Sequence, residues 1–156
     1  MKDHDANQSF WEAFLATLPA ESPYRGKNFQ VDNFGDNPKM ADELGALVRD
    51  GIKTGTCSAL WEWEHEGEFP PEPGSPRIVL DGDNIPFCIT ETVEVTFRKY
   101  HEVDAEFARA EGEGDLSLEY WREAHRNFFS RVLPSIGKAF SEDMLLVCER
   151  FRMNYK

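Results

Sequence analysis

Positive charge is scarce in this chain. Of its 156 residues, 17 are Lys or Arg and 29 are Asp or Glu, a formal net charge of −12. Non-specific binding to nucleic acid is driven by basic surface, so this balance argues against a generic nucleic-acid coat and against a DNA sequence reader. A nucleic-acid function would need a local basic patch on an acidic body. Cysteine is scarce too. Cys57, Cys88 and Cys148 are odd in number, far apart and without Cys-x-x-Cys spacing. That argues against a disulfide framework and against a zinc knuckle. They read as free thiols in a reducing cytoplasm, mostly buried as small hydrophobes. No apolar run approaches the ~20 residues of a membrane-spanning helix. Met1 to Asn7 is polar and lacks an apolar signal core, so the expected compartment is the cytoplasm. P-loop, dinucleotide, His-Glu-x-x-His and kinase motifs are absent as well.

What remains is ordinary globular composition, 40% hydrophobic and 29% charged, at a length suited to one domain with a sizeable core. A first helix is expected from Ser9, where Ser9 and Glu12 have capping-box spacing and Phe10, Trp11, Phe14, Leu15 and Leu18 form a helical stripe. Ala20 to Asp36 reads as a loop. The second helix is the best bounded, with Asn37 as N-cap, Pro38 in its first turn and Gly51 just past its end. Strands are expected over Ile52–Ser58, Arg77–Leu80, Pro86–Arg98 and Met144–Tyr155. Glu64 to Pro76, with four prolines, reads as a surface loop. Helices are expected around Asp104–Ala110 and Ser117–Leu133, the latter with Trp121, His125, Phe128 and Val132 on one face. Strands and helices without regular βαβ alternation indicate an α+β fold with a small mixed or closed sheet.

Four clusters bear chemistry. Lys53 and Thr56 would face opposite sides of an ideal strand, but Gly55 invites a bulge that brings them together. A lysine and a hydroxyl on one rim bind a phosphate or activate a water; a surface lysine on an edge strand fits the same residues. In Trp61-Glu62-Trp63-Glu64, alternation puts both tryptophans on one face, where they would stack on a base or simply fill a core. The acidic turn Glu111-Gly112-Glu113-Gly114-Asp115, with Arg122, His125 and Arg126 beyond it, offers oxygen ligands to Mg²⁺ or Mn²⁺, or is a solvated helix cap. His125, on the apolar stripe, reads as a satisfied core histidine. Ser130 lacks the context of a nucleophile elbow and is either a ligand hydrogen-bond donor or a surface serine.

Several strings in order resemble the longer bacterial ASCH-domain proteins. They are Phe34-Gly35-Asp36-Asn37-Pro38-Lys39-Met40-Ala41-Asp42-Glu43-Leu44, Gly51-Ile52-Lys53-Thr54-Gly55-Thr56-Cys57-Ser58, Val79-Leu80-Asp81-Gly82 and Ile89-Thr90-Glu91-Thr92, then Phe107 to Asp115, Ser117 to Arg122, Phe128-Phe129-Ser130 and Glu142-Asp143-Met144. The likeness runs from about Phe34 to the C-terminus. It implies a PUA-like β-barrel of five or six strands with flanking helices, a single domain over 1–156 in which 1–33 is an N-terminal helix and loop extension. It also implies RNA, nucleoside or nucleotide binding in a cleft beside the barrel, with the family's Gly-x-Lys motif on Gly51 and Lys53. Two activities are associated with the family. One is metal-assisted cleavage of single-stranded RNA, with Mn²⁺ or Mg²⁺ and with Lys53 and Ser130 on the phosphate side. The other is hydrolysis of the acyl amide of N4-acylated cytidine by a Lys, a Thr and a Glu, which fall on Lys53, Thr56 and Glu113 or Glu111. Glu111, Arg122, Arg126 and Trp61 are the expected substrate contacts. A non-catalytic RNA-binding module is the third reading. The charge of −12 repels a long polyanion far more than a single nucleoside.

Overall fold

The computed structural model describes residues 4–156. Five strands form one sheet in the order β1-β3-β4-β5-β2. They are β1 (Gln30–Asp32), β2 (Gly55–Ala59), β3 (Pro76–Leu80), β4 (Pro86–Lys99) and β5 (Leu145–Tyr155), and five helices flank them: α1 (His4–Leu15), α2 (Pro38–Arg49), α3 (Leu60–Glu66), α4 (Ala105–Glu111) and α5 (Leu118–Val132). Only the β1–β3 pair is parallel. The long β4 and β5 carry register shifts at Ile89/Thr90 and Thr92/Glu94. Such irregularities sharpen twist and curl, and the sheet forms a curled half-barrel. Its two edges turn toward each other, so that Asp32 and Asn33 at the end of β1 line the same cavity as Thr56, Cys57 and Ser58 of β2. The α+β class and the barrel-like sheet are therefore as expected, with five strands and an open seam.

Local signals set most boundaries. The Asn37 side chain accepts from the Met40 N–H at 2.9 Å, and Pro38 opens α2. Asp104 and Ser117 cap α4 and α5 in the same way. Sequence reasoning errs in four places. The first helix begins at His4 rather than Ser9, because Asp5-Ala6-Asn7-Gln8 continues the helical run, and Glu12 accepts from Gln8 instead of closing a box. β1 was hidden in the expected loop; three residues are too few for a periodic pattern, and the parallel partner β3 lies far along the chain. Trp61-Glu62-Trp63-Glu64 is helical, not extended, since α3 starts directly after Ala59. Lys53 precedes its strand rather than lying in it, and β2 pairs with β5 in unbroken register, so no bulge at Gly55 is present.

Three buried clusters hold the helices to the sheet. Trp11 and Phe14 of α1 pack on Ile78, Leu80 and Ile89. Val48 of α2 meets Val79, Cys88 and Phe151. Phe107, Trp121, Phe129 and Leu133 close over Leu146 and Cys148. Truncating one such aromatic to Ala typically costs ~3–5 kcal/mol. The three cysteines are free, although Cys57 and Cys148 are register partners.

Candidate functional site

The site forms where the chain leaves α2. Gly51 takes a positive φ of 77° and ends the helix, after which the Leu47 carbonyl accepts from both Ile52 and Lys53 N–H groups. The turn after α4 then lies directly on this segment. The Thr54 N–H donates to the Ala110 carbonyl at 2.7 Å. Gly112, at φ 70°, packs so closely that a Cβ would come within 2.4 Å of the Ile52 carbonyl oxygen and 2.8 Å of the Lys53 Cα. A glycine there lets Glu111 and Glu113 straddle Lys53. Gly55 serves the same contact from the strand side, where a Cβ would press on Ala110 and the Glu149 carbonyl, each at 3.3 Å.

Lys53 is 2% exposed. Its Nζ donates to Glu111 Oε1 at 2.9 Å, to Glu113 Oε2 at 2.9 Å and to the Glu111 carbonyl at 3.3 Å. An ammonium has three N–H donors, so all are engaged. Burial disfavours its charge, but Glu111 and Glu113 outweigh that and hold the lysine above its ordinary range. Glu111 is equally enclosed. Its Oε2 accepts from Trp121 Nε1 at 2.6 Å and faces His125 Nε2 at 3.2 Å. Burial opposes its charge, and Lys53, His125 and Trp121 override it, so its carboxyl lies well below the ordinary value.

His125 stacks on Trp121, centroids 4.2 Å apart, and its Nδ1 lies 2.9 Å from the Trp121 carbonyl. Both of its ring nitrogens therefore face acceptors. A neutral ring satisfies one of them and sets a lone pair against the other, so the imidazolium fits best. Burial works against that form, but Glu111 prevails and raises the histidine. As imidazolium, His125 makes two cations for two carboxylates, which is how the charges tolerate burial.

These groups floor a cavity of about 270 Å³ whose walls include Phe34, Met40, Thr56, Tyr120 and Phe128. Both carboxylates line it, and Glu113 is the more open of the two, its side chain 17% exposed against 2% for Glu111. Arg131 stands at the rim, tied to Asp36 by bonds of 3.0 and 3.1 Å.

Residues 30–155 match the sequence pattern of the ASCH domain. The chain belongs to the ASCH-domain family. Solved structures similar to this ASCH chain include the following two. An ASCH domain from Lactobacillus crispatus JV V101 shares 37% identity at a TM-score of 0.92, with 98% of this chain and 96% of that one covered. A protein from Enterococcus faecalis V583 shares 36% identity at a TM-score of 0.84, covering 97% and 89%. No curated protein matches. No helix among the described residues is long and apolar enough to cross a membrane.

Of the residues that sequence reasoning singled out in this ASCH domain, Lys53, Thr56, Glu111 and Glu113 line the one cavity. Arg122, Arg126 and Ser130 do not. Helical geometry explains the split: Tyr120, Ala124, Asn127, Phe128 and Arg131 share the cavity face of α5, whereas positions 122, 126 and 130, spaced four apart, form a separate row on another side of the helix. Arg126 is instead bound to Glu142 at 2.8 Å, and Arg122 lies beside it over a separate hollow. Ser130 is exposed. Trp61 packs against the core with Lys138 over its ring. A hard divalent cation does not fit this donor set. Among the described residues the group able to hold a metal is Cys57, Glu111 and His125, with donor atoms within 4.8 Å of one another. Thiol and imidazole are poor ligands for Mn²⁺ or Mg²⁺. Burial, reinforced by Glu111, also pushes the Cys57 thiol well above its ordinary value, and the Lys53 ammonium already sits between the carboxylates.

Sequence reasoning missed one buried pair. Arg77 Nη2 binds Glu149 Oε1 at 3.2 Å and Oε2 at 3.3 Å, and Thr92 donates to Oε1 at 3.2 Å. A signal for it existed: Glu149 is a lone carboxylate within the apolar strand Leu145-Leu146-Val147-Cys148, and a buried charge calls for a partner.

Proposed function

We propose that the Lys53 cavity binds one nucleoside unit and hydrolyses an acyl amide on its exocyclic nitrogen, the N4-acylcytidine reaction associated with ASCH proteins. The observation that supports this reading is the shared cavity of Lys53, Thr56 and Glu113 with its ammonium fully engaged. A saturated ammonium holds its neighbours in place and has no spare donor for a phosphate. Glu113 is then the general base, because it is the more exposed of the two carboxylates that line the cavity. It takes a proton from a water held by the Thr56 hydroxyl. The water oxygen adds to the acyl carbon, the C–N bond breaks, and the proton passes from Glu113 to the departing nitrogen. The products are a free amine on the base and a carboxylic acid, which ionises to the carboxylate by giving its proton to solvent. Lys53 fixes Glu113, and the Glu111–His125 pair fixes Lys53.

The ribonuclease reading asks for Lys53 and Ser130 on one scissile phosphate and for a hard metal ion. The engaged ammonium, the exposed Ser130 and the thiol-containing donor set lend it no support. The test is one plate: purified protein with N4-acetylcytidine, and with short single-stranded RNA with and without Mn²⁺. Release of cytidine and acetate without metal supports the proposal. Metal-dependent RNA cleavage with intact N4-acetylcytidine overturns it.

A further inference from the structure

Beside the Lys53 cavity lies a second lobe of about 260 Å³ at the seam between β1 and β2. The two share Phe34, Gly35, Thr56, Cys57 and Phe128 as walls. Either alone falls short of the ~300–1,000 Å³ of a usual small-molecule site, and joined they reach it. We propose that the second lobe is a sugar subsite, which seats the ribose of an unphosphorylated nucleoside while the base and its acyl group occupy the Lys53 lobe. This rests on the nucleoside reading above and goes beyond it by specifying which nucleosides enter.

Three features carry the assignment. Arg77 lines the lobe, is 6% exposed, and has a buried Nη1 with no hydrogen-bond partner among the described residues. A buried guanidinium N–H without a partner is costly, and an acceptor oxygen on a ligand removes that cost. Its charge is already matched by Glu149, so the acceptor it suits is a neutral ring or hydroxyl oxygen rather than an anion. Second, Glu62 and Asp32 stand on the lobe's rim, and carboxylates accept from the hydroxyls of a diol. Burial raises Glu62, with the charges of Asp32 and Glu66 adding to it. A ligand that donates hydrogen bonds relieves that crowding. Third, Trp63 supplies an apolar wall, its ring held by a 2.8 Å bond from Nε1 to Ser58 Oγ. Donor, acceptors and aromatic face together match a sugar. Three carboxylates against one guanidinium leave the lobe net negative, so a 5′-phosphate is repelled.

Isothermal titration of the full chain with cytosine, cytidine and cytidine 5′-monophosphate tests this, in wild type and in Glu62→Gln, a half-buried position where the amide keeps the shape. Wild type is expected to bind cytidine about tenfold more tightly than cytosine, and the monophosphate more weakly than cytidine. Glu62→Gln is expected to lose most of the cytidine advantage, about tenfold for one charge-assisted bond, and to leave cytosine unchanged. Equal affinities for cytosine and cytidine, or a monophosphate bound as tightly as cytidine, overturn the sugar subsite and leave the Lys53 lobe standing. An unchanged cytidine preference in Glu62→Gln overturns it too. Failure of all three ligands to bind overturns the nucleoside reading and this one together.

Discussion

Replacing Glu111 by Gln removes one charge and keeps the shape, which isolates the electrostatic role of the buried network. The carboxylate accepts from Lys53 Nζ at 2.9 Å and Trp121 Nε1 at 2.6 Å, and pairs with His125 at 3.2 Å. In the variant, Lys53 keeps Glu113 as its only carboxylate beside the backbone carbonyl of residue 111, and an amide N–H₂ must face the donors that Oε1 or Oε2 accepted. Breaking a buried pair while its partner stays charged costs ~3–5 kcal/mol. At roughly 2–4 °C per kcal/mol for a domain of this length, Tm should fall by roughly 6–20 °C. The pH dependence has a definite form. Glu111 is depressed on folding, so its contribution is present above the ordinary carboxyl value of 4.5 and is lost as pH falls through the folded value. His125 is raised, so its part is fully present below 6.5 and is lost as pH rises through its folded value. Lys53, also raised, keeps its part until pH passes its folded value, above 10.5. The gap between wild type and variant should therefore be widest between about pH 4.5 and 6.5 and should narrow partly, not fully, above neutrality. Urea unfolding at pH 5.5, 7.5 and 9 measures it. A loss below 1 kcal/mol at pH 5.5, or a gap that grows toward pH 9, would refute the reasoning.

Gly112→Ala forces a Cβ against the Ile52 carbonyl at a positive φ; it should destabilise the fold by more than the ~1 kcal/mol of an ordinary left-handed strain and abolish hydrolysis, seen by thermal melts and turnover. By NMR, His125 should titrate with a midpoint above 6.5 in wild type and drop in Glu111→Gln; a wild-type midpoint below 6.5 would count against the imidazolium. Lys53→Arg should fail as fully as Lys53→Ala in N4-acetylcytidine turnover, since a guanidinium fork does not fit between two carboxylates spaced for one ammonium; substantial activity in the arginine variant would show that charge alone suffices.

Much of the fold was legible because its signals are local. Asn37, Pro38 and Gly51 bound α2 in the sequence as they do in space, and the strands expected over Pro86–Arg98 and Met144–Tyr155 are β4 and β5. What escaped depends on distant partners. β1 exists because β3 lies beside it, and the helical state of Trp61 to Glu64 is imposed by the abrupt end of β2 at Ala59. Lys53, Thr56 and the two glutamates were visible as residues of a kind, but the reason they meet was misread. No bulge turns Thr56; a glycine at 112 lets one chain segment lie on another. Arg122, Arg126 and Ser130 were suspected for their chemistry alone, and the phase of α5 turns them away from the cavity. Arg77 and Glu149 are 72 positions apart in the chain, on strands that lie either side of β4 in the sheet.

The most direct test of the central proposal is kcat/KM for N4-acetylcytidine in wild type, Glu113→Gln and Thr56→Ala, each checked for a native circular-dichroism spectrum at the assay temperature. With Glu113 as general base, its loss should lower kcat/KM by ~10²–10⁴, and Thr56→Ala should likewise abolish most turnover, in both cases without metal and with little dependence on salt. Release of cytidine at wild-type rates by both variants would contradict it.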